Sequence, residues 1–104
     1  MNGLVVAAIG QRRLLKLAYT AGSRIVEPHV YGLDGGGREL LRCYQLAGES
    51  APRERAGWKL LRAGDVAAVE VLDVRFEPRV DYKREDPAIQ AAYARLQSAP
   101  PFAE

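Results

Sequence analysis

Asp34-Gly35-Gly36-Gly37 is the segment that most limits what this chain can build. Glycine takes positive φ without steric cost, so three in a row after an aspartate make a tight reversal. Residues on both sides carry strand-like patterns, Arg24 to Leu33 before the turn and Glu39 to Ala47 after it, which predicts an antiparallel hairpin. Proline gives no hydrogen bond to a ladder, so Pro28 places the first of these strands at an edge or a bend.

Around this hairpin the apolar periodicity changes twice. From about Gly3 to Arg13, with Asn2 as cap, Leu4, Val5, Ala8 and Ile9 recur at helical spacing. From Leu14 to Thr20 the period is two, with Leu15, Leu17 and Tyr19 on one side of a strand. Residues Gly48 to Gly57 are polar and carry Pro52, which reads as an exposed loop. Trp58 to Ala63 and the β-branched run Val66 to Phe76 read as further strands about a Gly64-Asp65 turn. Five short strands after one helix predict a small closed barrel, since closure removes the exposed edges of a flat sheet.

Composition changes after Phe76. Pro87 suits the first position of a helix capped by Asp86, and Ala88 to Gln97 is rich in helix formers, so a C-terminal helix is expected over about 87–97. The reading is mainly β with flanking helices: a barrel domain over 1–78 and a C-terminal extension over 79–104.

The 104 residues allow one domain, and 48% hydrophobic with 27% charged residues is enough for a globular core. The longest apolar runs fall well short of the roughly 18 residues that span a bilayer, and no export signal is visible. Cys43, the single cysteine, fits a reducing cytoplasm, and a metal site lacks ligands. The formal charge of +2 hides a local excess: Arg38, Arg42, Arg53, Arg55, Lys59 and Arg62 stand against Glu39, Glu49 and Glu54. That excess suits steering of an anionic partner.

Catalysis has little support. The single histidine, His29, could face Cys43 across the hairpin, but no third orienting group is indicated. No glycine loop leads into a helix to cradle phosphate, and no cofactor is implied. Basic and aromatic residues on strands are the better candidates: Arg42 and Tyr44 share one face of the third strand, Trp58 and Arg62 one face of the fourth. Arginine beside an aromatic ring suits pairing to phosphate and stacking on a base.

Tyr19, Arg24-Ile25-Val26-Glu27-Pro28, the glycine turn, Leu40-Leu41-Arg42-Cys43-Tyr44, Gly57-Trp58-Lys59-Leu60-Leu61-Arg62 and Val66, in that order, resemble a WYL domain over roughly residues 4 to 76. The resemblance implies an Sm-like, SH3-type barrel of the kind found in bacterial transcription regulators and phage-defence proteins. It also implies sensing of a nucleotide or single-stranded nucleic acid, with Arg24, Lys59 and Arg62 facing the ligand and Tyr19 and Arg42 bordering it. The three residues that name the family correspond to Glu39-Leu40-Leu41, so stacking falls to Tyr44 or Trp58. Where the family often carries an acidic-basic pair, Gly64-Asp65 stands instead. Lys59 and Arg62, three apart, converge only on a bulged or twisted strand.

The expected function is a non-enzymatic, freestanding regulatory module that binds an anionic ligand, alone, as a homo-oligomer or with a partner regulator. The alternative is an assembly module using the barrel edge and the C-terminal segment with Tyr93, Leu96 and Phe102.

Overall fold

The N-terminal helix α1 runs Gly3–Gln11, with the Asn2 side chain accepting from the Leu4 N–H at 2.8 Å. It ends because Arg12 turns into the left-handed region, φ 55° and ψ 47°, and sends its N–H back to the Ala8 and Ile9 carbonyls. The next residue begins a strand. The computed structural model describes residues 1–48 and 56–97. The expected 48–57 loop, with Arg53 and Arg55, and Phe102 in the tail lie largely or wholly outside the described residues.

Strands β1 (Arg13–Tyr19), β2 (Gly22–Leu33), β3 (Glu39–Gly48), β4 (Gly57–Arg62), β5 (Ala68–Arg75) and β6 (Ala91–Arg95) form one antiparallel sheet in the order β4-β3-β2-β1-β5, with β6 also on β2. The hairpin predicted from the glycine turn is β2–β3, and Asp34 fastens it by accepting from the Gly36 and Arg38 N–H groups. A 3-10 turn over Ala63–Asp65 joins β4 to β5. Among the described residues β4 and β5 do not pair, so the sheet is open rather than closed as expected. The edge pairing that would close it is lacking, and α1 shares in covering the core instead. Val5, Ala8 and Ile9 pack with Leu15, Leu17, Val26, Tyr31, Leu41, Cys43, Phe76 and Leu96. No helix among the described residues is long and apolar enough to cross a membrane.

The expected C-terminal helix over 87–97 does not form. Residues 91–95 are strand β6, paired to Val30–Leu33 of β2. A lone helix this short is marginal in water. The upper part of β2, beyond the last pairing with β1 at Val26, has backbone groups that need partners, and β6 supplies them. Gly32 makes the approach possible, because a Cβ there would collide with the Ala91 carbonyl and lie 2.6 Å from Ala92 Cα. Pro28 falls between the β1 and β6 pairings, and the β2–β3 register shifts between it and Val30. The proline therefore marks a bend, in a central strand rather than an edge strand.

Candidate functional site

Directly opposite residues of an antiparallel pair share a face, so the β3–β4 register sorts the candidates without ambiguity. Arg42 faces Leu60, Tyr44 faces Trp58 and Leu40 faces Arg62, all on the outer side of the sheet. Lys59 faces Cys43, which is fully buried in the core, so Lys59 belongs to the inner side. The register of β4 is continuous from Gly57 to Arg62, and Lys59 and Arg62 therefore diverge. The seven expected residues do not form one site.

On the outer side, residues 77–90 run as a strap over the sheet and engage three of the seven. Arg42 forks onto Asp86, Nε to Oδ2 at 2.7 Å and Nη2 to Oδ1 at 3.3 Å. Trp58 donates its indole N–H to Asp81 at 3.0 Å and meets Tyr44 edge-on at 5.6 Å between centroids. Arg79 lies 3.7 Å over the Tyr44 ring and forks onto Glu27 at 2.8 and 3.3 Å. Burial pushes the Asp86 carboxyl up, but the Arg42 fork, the Ala88 N–H and the Arg42 charge outweigh it and hold the group below its ordinary value. Arg62 stays exposed at the end of β4.

His29 fastens the strap from beneath. Its ring is fully buried, with the Trp58, Tyr82 and Phe76 rings at 4.7, 5.0 and 5.5 Å between centroids. Nε2 takes the Arg79 N–H at 3.3 Å, which requires a bare nitrogen there and puts the proton on Nδ1, 2.8 Å from the Glu27 carbonyl. Burial holds its pKa below the ordinary value, against the raising effect of Glu27. Between strap and sheet lies a cleft of about 450 Å³ lined by Arg42, Trp58, Asp81, Tyr82, Lys83, Glu85, Asp86 and Pro87. Three carboxylates against two cations make it a poor receptor for an anion.

The inner side gathers Tyr19, Arg24 and Lys59. Arg24 of β2 gives Nη1 to Gln45 Oε1 at 2.7 Å and lies over the Tyr19 ring at 5.2 Å. Lys59 shares this face, and its charge and that of Arg24 both act on the Cys43 thiol. Gln45 is fully buried. Arg24 fixes its amide with Oε1 as acceptor, and the Nε2 donor has no hydrogen-bond partner among the described residues. This is a buried donor on an amide whose oxygen Arg24 already holds.

Cys43 is opposite Pro28, on the inner side, and burial pushes its thiol up to about 12. It carries no thiolate for a nucleophilic pair with His29, whose nitrogens are already taken. Among the described residues no three histidine, cysteine or carboxylate groups converge as a metal site.

Sequence reading missed Gln45, Arg79, Asp81 and Asp86. Gln45 had a signal, an amide at an inward position of β3 after Leu41 and Cys43; the strap residues had none, because their partners lie 23 to 52 residues away. Comparison of the chain with protein-family models, with curated proteins and with solved structures finds no match.

Proposed function

We propose that the chain is a non-catalytic ligand-sensing module whose Tyr19, Arg24, Gln45 and Lys59 corner binds a small anionic ligand of nucleotide type. The observation that carries this reading is the buried Gln45 Nε2, a donor with no acceptor among the described residues, on the face that Arg24 and Lys59 share. A buried, unsatisfied donor costs about 1 to 3 kcal/mol, and an oxyanion would recover that while pairing with the two cations. Tyr19 adds a ring already carrying a guanidinium.

Three of these residues, Tyr19, Arg24 and Lys59, are among those that the WYL resemblance assigns to the ligand. The strand succession supports an Sm-like or SH3-type architecture: a four-strand meander, a 3-10 turn after β4, and β5 placed beside β1. A regulatory role in bacterial transcription or phage defence follows from the same resemblance. A nucleotide is favoured over single-stranded nucleic acid because the aromatic pair Tyr44 and Trp58 is engaged by the strap. The assembly reading is weakened, since Leu96 is buried, although Tyr93, which meets Tyr31 of its own chain edge-on at 5.3 Å, stays exposed.

The test is titration of the full chain with AMP, ATP and an oligothymidylate at low and high salt. Nucleotide binding that weakens about 10-fold or more in Arg24→Ala and again in Lys59→Ala is expected. Equal affinity in a folded double variant, or no nucleotide binding at low salt, removes this reading.

A further inference from the structure

A second cluster of arginines lies at the opposite end of β1 from Tyr19, where α1 ends and β5 ends. Arg12 is the only non-glycine residue with positive φ among the described residues. Helices that end in this conformation ordinarily use glycine, because a side chain there is strained.

Its surroundings are rich in positive charge. Arg13 and Arg75 stand directly opposite each other in the β1–β5 register, a like-charge pair that disfavours the sheet unless something neutralises it. Arg13 is already engaged: its Nε donates to the Leu72 carbonyl at 2.9 Å, Nη1 donates to Gln11 Oε1 at 3.1 Å, and Asp73 lies 3.7 Å away. Arg75 is exposed and has no carboxylate within ion-pair distance among the described residues. Arg12 reaches Glu77 at 3.1 Å, but that carboxylate side chain is 76% exposed, so the pair is of the weak, solvent-screened kind. The α1 carbonyls that would repel an anion are partly taken by the Arg12 N–H.

Gln11, Arg12, Arg75, Phe76 and Glu77 line a cleft of about 390 Å³ here, within the size range of small-molecule sites. Gln11 spends its oxygen on Arg13, which leaves its amide N–H₂ as a donor. Guanidinium groups fit planar and tetrahedral oxyanions in a two-point geometry, and Phe76 supplies an apolar wall. We propose that this cleft is a second ligand site, which takes the carboxylate or phosphate of a small organic anion between Arg12 and Arg75, with Glu77 as the internal carboxylate it displaces. This site is independent of the Gln45 corner, being built from different strands' ends.

The test is amide chemical-shift titration of the full chain at low salt with inorganic phosphate, phenyl phosphate and benzoate, which separates tetrahedral from planar oxyanions and measures the apolar wall. Shifts at Gln11, Arg12, Arg75 and Phe76 are expected, larger at equal concentration for phenyl phosphate than for phosphate. Arg12→Gly should raise the melting temperature while weakening binding roughly 10-fold, a combination that mere structural damage cannot produce. Arg75→Gln should weaken binding without lowering the melting temperature, since it also removes a like-charge pair, and Glu77→Gln should strengthen binding several-fold. Affinity unchanged in both arginine variants, or no shift at these amides with any of the probes, overturns the proposal. Loss of binding in Arg24→Ala alone overturns it too, because the anion would then sit at the Gln45 corner.

Discussion

Arg42 in the third strand and Asp86 in the strap are joined by a two-point ion pair whose carboxylate is 6% exposed and whose guanidinium is 29% exposed. The strap thereby holds, with a group of the same charge as the expected ligand, an arginine that the sequence points to as a ligand contact. Asp86 also accepts the Ala88 N–H at 3.0 Å, so it organises the chain just before β6.

Asp86→Ala leaves Arg42 without its partner and frees one half-buried N–H, and we expect it to cost about 2 to 4 kcal/mol by chemical denaturation at pH 7. The Asp86 carboxyl lies below its ordinary value in the folded chain. Its stabilisation is therefore complete above the unfolded carboxylate pKa of about 4 and disappears as pH falls through the folded value. As pH falls below about 4 the parent should lose more stability than the variant, which lacks this group.

His29 should produce a separate loss at milder acidity. Burial lowers its folded pKa below 6.5, so the unfolded chain takes up a proton first, and stability declines as pH drops below about 6.5 toward the folded value. Protonation also removes the acceptor of the Arg79 N–H, while Glu27 and Asp81 partly offset the new charge and Arg79 opposes it. Denaturation midpoints measured from pH 7.5 to 5 should fall in the parent chain. In His29→Gln, less stable at pH 7.5, that slope should be absent; an equal slope would place the titration elsewhere.

Cys43 should be inert in the native state. Its thiol is buried and pushed up to about 12, so thiolate is scarce at pH 8 and reagent has no access. Native labelling with a disulfide reagent should follow global unfolding, at a rate that rises with denaturant; fast labelling in buffer would contradict the burial.

Gly32→Ala should be far more damaging than Gly35→Ala. The first places a methyl against the backbone of Ala91 and Ala92, whereas the second meets only the far end of the Gln90 side chain at 3.1 Å or more. We expect about 3 kcal/mol or more against less than about 1 kcal/mol. Hydrogen exchange at Ala91 to Arg95 should accelerate selectively in the first variant.

The helix, the glycine hairpin and the first five strands were legible because each is written in local periodicity or turn chemistry: Val5, Ala8 and Ile9 in one pattern, Leu15 and Leu17 in the other. Sharing of a face by Arg42 with Tyr44, and by Trp58 with Arg62, followed from the same period of two. Open sheet and final strand were not legible. Ala91, Ala92 and Ala94 are helix formers in isolation, and only the unpaired backbone of Val30 to Leu33, some 60 residues earlier, makes them a strand. Division of the candidates between two sides was half visible, in the odd spacing of Lys59 and Arg62. The capture of Trp58 by Asp81 and of Arg42 by Asp86 was not, since an exposed-looking acidic run carries no mark of the arginine it will meet.

Strand β2 takes β1 along the first part of one edge and β6 along the last part, while β3 occupies the other edge. During synthesis, the meander through Arg75 emerges some 20 residues before β6 is complete. Until then Val30 to Leu33 offer bare donors and acceptors to any extended chain nearby. The final strand thus serves as a late safeguard, and a nascent chain halted before Ala91 would be the species most prone to join its neighbours through that edge.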